Sequence, residues 1–374
     1  MARATLGILG IHSLELAVRR AEPWLSFLTR GFGFQLVAST TGRQVEATGT
    51  RRRLLRCGDI RIVLAEAIHG GSEIRNYLER HPEGISTVRF RVDDADQAEK
   101  MLIERHATPT GTVRTENFDN STWRETVIAT PLGIVNFAFV QHDAVDSNLM
   151  PGMEPAGRFD KSHNPAGLVG LDHLTANVRT MMPVLAFFEH VLGFERFWDV
   201  SFHTEDIRPG VGTGLKSVVM WDESSGVKLA TNEPLRPRYH ASQVAACLDA
   251  NRGPGVHHFA FNVSDILTAV DVALDADVSL LPMPPAYYAD LPKRVTSQGI
   301  KGFTTPIDEL ARRNILLDGD ATGHLLQAFC RDQSEQHEDA GPLVIELTQR
   351  SGAKGFGEGN FRALFEAMTK ENGA

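Results

Sequence analysis

Three residues in the second half of the chain, His173, His258 and Glu346, have the types and placement to hold a metal ion. Each histidine stands three positions after the glycine that opens a strand-like run: Gly170-Leu171-Asp172-His173 and Gly255-Val256-His257-His258. Similarly paired strands would turn both imidazoles to one interior face, although 85 residues separate them. Strand side chains alternate between faces, so His257 and His258 cannot both point inward, and the repeat register selects His258. Glu346 interrupts the apolar run Leu343-Val344-Ile345-Glu346-Leu347. An unpaired buried carboxylate costs on the order of several kcal/mol, so an inward Glu346 needs a cation or a metal. The plainer alternatives are a solvent-facing edge position or an ion pair with Arg350. Two histidines and a carboxylate with open positions form the facial triad of non-haem Fe(II) oxygenases. Zinc on the same ligands would support hydrolysis or isomerisation instead.

The elements that carry these residues belong to a repeat. Gly10-Ile11-His12-Ser13-Leu14, followed by Phe27 and Gly33-Phe34, matches Gly170-Leu171-Asp172-His173-Leu174, followed by Phe187 and Gly193-Phe194. The Phe-to-Gly spacing is six residues in both. Gly84-Ile85-Ser86-Thr87-Val88 likewise matches Gly255-Val256-His257-His258-Phe259, and each run leads into a helical stretch, 93–104 or 264–275. The spacing predicts an α+β fold of two pseudo-symmetric halves, each of two βαβββ modules forming an open barrel. Phe361, Leu364, Phe365 and Met368 add a C-terminal amphipathic lid helix over 360–372. The expected organisation is a non-catalytic half at 1–145, a linker at 146–165 rich in Pro, Gly, Asp and Ser, and a catalytic half at 166–374. Ser13 and Thr87 stand in the two histidine columns of the first half, which leaves that half without ligands.

Composition narrows the function classes. Hydrophobic residues make up 42% and charged residues 23% of 374, ordinary values for a chain able to bury a full core. A net charge of −9, with Arg51-Arg52-Arg53 as the densest basic run, points away from nucleic acid. Cys57, Cys247 and Cys330 are isolated, which excludes a disulfide scaffold and a thiolate zinc site and suits a reducing cytoplasm. No stretch has the length and apolarity of a membrane span.

Further segments complete the pattern: Asn232-Glu233-Pro234, Ser242-Gln243-Val244, Pro285-Ala286-Tyr287-Tyr288, Gly323-His324-Leu325-Leu326-Gln327-Ala328-Phe329, Glu346-Leu347-Thr348-Gln349-Arg350, and Gly355-Phe356-Gly357-Glu358-Gly359-Asn360-Phe361. With the two histidine motifs, they make residues 165–370 resemble the 4-hydroxyphenylpyruvate dioxygenase family of the vicinal-oxygen-chelate superfamily. The first half resembles that superfamily's non-catalytic repeat. The resemblance assigns His173, His258 and Glu346 to Fe(II). It places Gln327 and Phe329 beside the keto-acid end of the substrate, and Ser217, Asn232 and Gln243 near its phenolic end. Phe356 and Phe361 would close over the ring. It implies oxidative decarboxylation of an aryl 2-oxo acid by O2, then ring hydroxylation with side-chain migration to homogentisate, a step of tyrosine catabolism. It also implies a homo-oligomer, dimer or tetramer. The chain departs from the family at His257 (usually Gln), Ala230 (usually Pro) and Val344 (usually Phe), which touches the substrate-binding pocket more than the metal. The sister enzyme hydroxymandelate synthase is the near alternative, with oxidation at the benzylic carbon; Phe361, Phe365 and Asn232 favour the dioxygenase. A related oxygenase for another 2-oxo acid and a metal-free small-molecule-binding module are further alternatives.

Overall fold

The structure, a computed structural model, describes residues 5–118, 120–144, 147–204, 214–235, 239–330, 341–360, 362 and 363. In the first half the strands are β1 (Ile8–Val18), β2 (Gln35–Thr40), β3 (Thr50–Cys57), β4 (Ile60–Ala67), β5 (Gly84–Val92), β6 (Arg114–Phe118), β7 (Ser121–Ala129), β8 (Asn136–His142) and β9 (Met153–Pro155). The second half carries β10 (Leu168–Asn177), β11 (Glu195–His203), β12 (Gly214–Asp222), β13 (Val227–Pro234), β14 (Gly255–Val263), β15 (Leu316–Asp320), β16 (Gly323–Phe329) and β17 (Val344–Ser351). The first sheet runs β6-β7-β8-β5-β1-β4-β3-β2-β9 and the second β11-β12-β13-β10-β14-β17-β16-β15. Read backwards, the second order is the first without β9. The expected α+β architecture of paired βαβββ modules in open, curled sheets is therefore what the chain adopts. Within the 146–165 connector, β9 pairs antiparallel with β2.

The repeated Phe and Gly positions have a packing reason. Helix Ala21–Phe32 buries Trp24, Leu28 and Phe32 at helical spacing and stops at Gly33, whose φ of 78° is the left-handed cap that glycine accepts readily. The matching helix, Met182–Ala186, continues as a π-helical turn Phe187–Leu192 and stops at Gly193 with φ 81°. These helices cross between halves. Phe32 and Phe34 each lie 5.6 Å, ring to ring, from Phe261 on β14. Phe187 and Phe188 reach Phe137 on β8 at 6.2 and 6.3 Å. One continuous apolar core results, built from both halves.

The interior of the first sheet holds charge. Glu15 on β1 accepts from Arg52 at 3.1 Å and Arg89 at 3.0 Å, and Arg89 also donates to Glu125 at 2.9 Å. Glu15, Arg89 and Glu125 are all buried. Burial alone would raise the Glu15 pKa, but Arg52 and Arg89 outweigh it and hold it at about 2, against an ordinary 4.5. A carboxyl group depressed in the folded state contributes stability above its unfolded pKa and loses it as pH falls through the folded value. Acid unfolding should therefore be less pH-sensitive between pH 4.5 and about 2 in Glu15→Gln than in the parent chain, as chemical denaturation at several pH values would show. Identical slopes in both proteins would contradict the pairing. Arg89→Met should cost about 3–5 kcal/mol, because it takes the ion-pair partner from buried Glu125 and leaves Glu15 with Arg52 alone.

Candidate metal centre

Three adjacent strands, β10, β14 and β17, assemble the cluster. β14 lies between the other two, antiparallel to β10 and parallel to β17. His173 and Glu346 are both register partners of Ala260, and His258 lies two residues along β14 from Ala260 on the same face. One ligand atom from each of His173, His258 and Glu346 falls within 4.8 Å of the others. The fully buried methyl of Ala260 leaves open the space between them. His173 and Glu346 are buried and His258 partly so.

Glu346 is oriented by its neighbours. Oε1 accepts from Gln327 Nε2 at 2.9 Å and from Thr348 Oγ1 at 2.6 Å. Oε2 is left facing His173 Nε2 at 3.5 Å and His258 Nε2 at 3.6 Å. Those separations are long for strong hydrogen bonds. Donors about 2.0–2.2 Å from a common ion at right angles would stand about 3 Å apart, so a small inward shift brings all three onto one cation. The donor set therefore fits a transition metal with open positions.

The outer partners fix His173. Its Nδ1 is 2.8 Å from Asp172 Oδ1, and Arg350 grips Asp172 through Nε and Nη2 at 2.7 and 2.8 Å. Such carboxylate contacts set the tautomer and leave Nε2 for the ion. Burial would raise the Asp172 pKa, but hydrogen bonds from His173 and Arg350 keep it below the ordinary carboxylate range. Burial disfavours protonated His173, yet the charges of Glu346 and Asp172 lift it to about 9. His258 is pushed well below its ordinary value by burial and by the charges of His257 and His173. Metal binding must then displace a proton from the His173 neighbourhood.

The remaining sequence-derived residues fall into three groups. Gln327 touches Glu346 directly, and Phe356 stands edge-on to His173 with ring centroids 5.1 Å apart. Phe329 approaches His258 at 6.3 Å, and His257 Nδ1 lies 2.8 Å from His258 Nδ1. Ser217 and Asn232 are direct cross-strand partners, and Asn232 donates to Asn177 at 3.2 Å, forming a polar row two residues beyond Ala230 along β13. Gln243 is exposed at the start of helix Gln243–Ala250, and among the described residues it forms no hydrogen bond with Ser217 or Asn232. Phe361, Leu364, Phe365 and Met368, and with them most of the expected lid helix, lie outside the described residues. The three departures cluster near the centre. Val344 is the register partner of His258, and Ala230 packs with Val219, Phe197, Trp198 and Phe356.

Sequence reasoning missed the supporting residues. Asp172 beside His173, with Thr348 and Arg350 at period two from Glu346, is a legible signal for an oriented ligand set. Asn360, which donates to Gln327 Oε1 at 2.9 Å and accepts from the Tyr287 hydroxyl at 2.7 Å, ties the C-terminal segment to Glu346 through Gln327. The aromatic wall of Phe197 and Trp198, 5.9 and 5.6 Å from Phe356, carries no motif.

The strand registers show why the described residues of the first half form no such cluster. Ser13 corresponds to His173, Thr87 to His258 and Ala138 to Glu346, while Arg89 takes the place of Ala260. Every ligand has shrunk, and the one small residue has become a guanidinium. The cation there is covalent.

Comparison with known proteins agrees with this geometry. The Glyoxalase/Bleomycin resistance protein/Dioxygenase superfamily model matches residues 10–134 and 170–306, one stretch in each half. A 4-hydroxyphenylpyruvate dioxygenase from Caenorhabditis briggsae is 30% identical over 97% of this chain and 92% of its own length. The Danio rerio protein of the same name is also 30% identical, over 98% and 91%. The chain belongs to the 4-hydroxyphenylpyruvate dioxygenase family. A substituted 4-hydroxymandelate synthase from Streptomyces coelicolor shares the fold at a TM-score of 0.79, with 24% identity over 98% of this chain and 99% of that one. A xylose isomerase-like TIM barrel/4-hydroxyphenylpyruvate dioxygenase fusion protein matches at 0.69 and 26% identity, covering 97% of this chain and 52% of the fusion.

The Asp172 contact generates a test. Asp172→Asn should weaken metal affinity about 10–100-fold while the chain stays folded, because His173 loses its charged orienting partner. Competition with a chelator measures this, and an unchanged affinity would contradict the role.

Proposed function

We propose that the protein is an Fe(II)-dependent dioxygenase that converts 4-hydroxyphenylpyruvate and O2 to homogentisate and CO2. The observation that carries this reading is the convergence of His173, His258 and Glu346 around Ala260 in a chain about 30% identical, over nearly its whole length, to proteins bearing that name. Bound iron supplies the redox chemistry, coupling O2 reduction to oxidative decarboxylation of the keto acid. The chain's own residues do the rest. His173, His258 and Glu346 would hold the ion, and a set of only three protein donors would leave it room to take a 2-oxo acid and O2. Gln327 and Thr348 keep Glu346 Oε2 turned toward the ion. Phe356 and Trp198 supply the flat apolar surface against which an aryl ring packs, and Phe329 flanks His258. Ser217 and Asn232 offer hydrogen-bond partners to the phenol, with Gln243 joining them on closure. The C-terminal segment excludes water, protecting the oxidant from side reactions.

The chain is organised as a supporting half at 1–145, a linker at 146–165 and a catalytic half at 166–374. The enzyme works as a homo-oligomer, dimer or tetramer, on family expectation, and in the cytoplasm, which its sparse cysteines, none of them in a disulfide, suit. Among the described residues no helix is long and apolar enough to cross a membrane.

Purified protein given Fe(II) and 4-hydroxyphenylpyruvate should consume O2 and release CO2 in equal amounts, with homogentisate identified by mass spectrometry and NMR. Hydroxymandelate, its isomer, would move the oxidation to the benzylic carbon. Absence of turnover with any aromatic 2-oxo acid would overturn the oxygenase reading. Glu346→Ala should lose stoichiometric iron and keep its circular dichroism; iron retained at one per chain would show that the triad is misassigned.

A further inference from the structure

Tyr287 and Asn360 stand in motifs of the second half, yet neither is among the three candidate metal ligands. Tyr287 lies in helix Pro285–Gln298, which buries Tyr287, Tyr288 and Leu291 in the apolar core. Its hydroxyl meets Leu317 on β15, the last strand of the second sheet, and accepts from the Leu317 N–H at 3.0 Å. The single hydroxyl proton then has two acceptors in reach, Asn360 Oδ1 at 2.7 Å and the Leu317 carbonyl at 3.1 Å. The shorter contact takes it. Arg294, from the same helix, brings Nη2 to 3.3 Å from the same Asn360 oxygen, with its guanidinium 5.1 Å from the centre of the Tyr287 ring.

These contacts have a direction. A guanidinium only donates, so Asn360 must present its oxygen to Arg294 and Tyr287. Its amide NH2 then turns to Gln327 Oε1, 2.9 Å away, and Gln327 offers its own NH2 to Glu346 Oε1 at 2.9 Å. A carboxylate only accepts, so Glu346 demands the same two amide orientations from the opposite end. Tyr287, Asn360, Gln327 and Glu346 are each at most 5% exposed, which leaves little water to compete. Gly357, at φ 81°, lets the C-terminal segment lie directly on the amide, where a side chain would collide with Gln327 Oε1. By strand register, the first half has Glu125 in the place of Gln327, and that carboxylate ends at Arg89. An amide accepts on one side and donates on the other, so Gln327 can pass an orientation along where a carboxylate cannot.

We propose that Tyr287 is a positioning residue for the metal centre: its hydroxyl, backed by Arg294, sets the Asn360 amide, which sets Gln327 and through it the Glu346 carboxylate. Coupling between binding and conformation is reciprocal, so a metal on Glu346 in turn holds the segment 353–360 more firmly. The proposal rests on the reading of His173, His258 and Glu346 as the metal ligands.

Chelator competition on the full chain, with Fe(II) alone under anaerobic conditions, tests this in a double-substitution cycle. Tyr287→Phe should weaken Fe(II) binding about tenfold, as loss of an outer partner that orients a ligand does. Gln327→Leu should weaken it at least as much, and adding Tyr287→Phe to that variant should cost nothing further, because the relay is already cut. Losses that add in the double variant would show two independent structural effects and overturn the relay, as would Tyr287→Phe binding iron like the parent. Hydrogen exchange of residues 353–360 gives a second readout: Fe(II) should slow it in the parent and not in Tyr287→Phe, and equal slowing in both would overturn the coupling. Asn360→Leu cuts the same relay and takes the place of Tyr287→Phe in the cycle if that variant fails to fold. A parent chain without stoichiometric Fe(II) binding would overturn the ligand assignment and the relay with it; stoichiometric binding that none of these substitutions weakens would overturn the relay alone.

Discussion

A carboxylate taken out of water needs a cation close by, and both halves of this chain are organised around that requirement. In the first half, Glu15 and Glu125 meet it with Arg89, which extends from β5 into the barrel. In the second half, the corresponding position on β14 is Ala260, and Glu346 faces two imidazoles across an open space. A guanidinium is a fixed charge with no exchangeable coordination position. A metal on the same footprint offers open positions to a keto acid and O2. The divergence of the halves thus reduces to a reciprocal exchange: three ligands for small residues, and one small residue for arginine.

The half without the His-His-Glu cluster packs closely against the half that carries it. The end of its first helix and the turn after it pack on β14, the strand that carries His258, through Phe32 and Phe34 against Phe261. The second half returns the contact through Phe187, Phe188 and Phe137. Displacing either helix would shift the strands whose register aligns the ligands, because close-packed cores transmit strain. On the far side of the centre, the chain Tyr287, Asn360, Gln327 and Glu346 connects the C-terminal segment to a ligand carboxylate by successive hydrogen bonds. Docking of that segment and orientation of Glu346 are therefore parts of one network.

Much of this was legible in the sequence, for identifiable reasons. The Gly10 and Gly170 columns, and the six-residue Phe-to-Gly spacing, report strand starts and helix caps, which are local features. They were enough to predict the duplicated βαβββ architecture and to choose His258 over His257. The exchange at Arg89 was not legible, because it appears only when β5 is set in register with β1 and β8. The support that Asp172 and Arg350 give to His173 spans 178 residues and likewise emerges from the sheet order. β9 was hidden in a connector without periodicity, three residues long and held by its pairing with β2. Gln243 illustrates a different limit: a motif fixes its place at a helix start, while its direction follows from local capping by Ser242, which leaves it exposed.

Anomalous diffraction at the iron edge, from crystals of the iron-loaded chain, tests the central claim most directly. One peak per chain is expected, about 2.0–2.2 Å from His173 Nε2, His258 Nε2 and Glu346 Oε2, with none beside Arg89. A peak in the first half, or an ion that one of those three side chains does not touch, would contradict it.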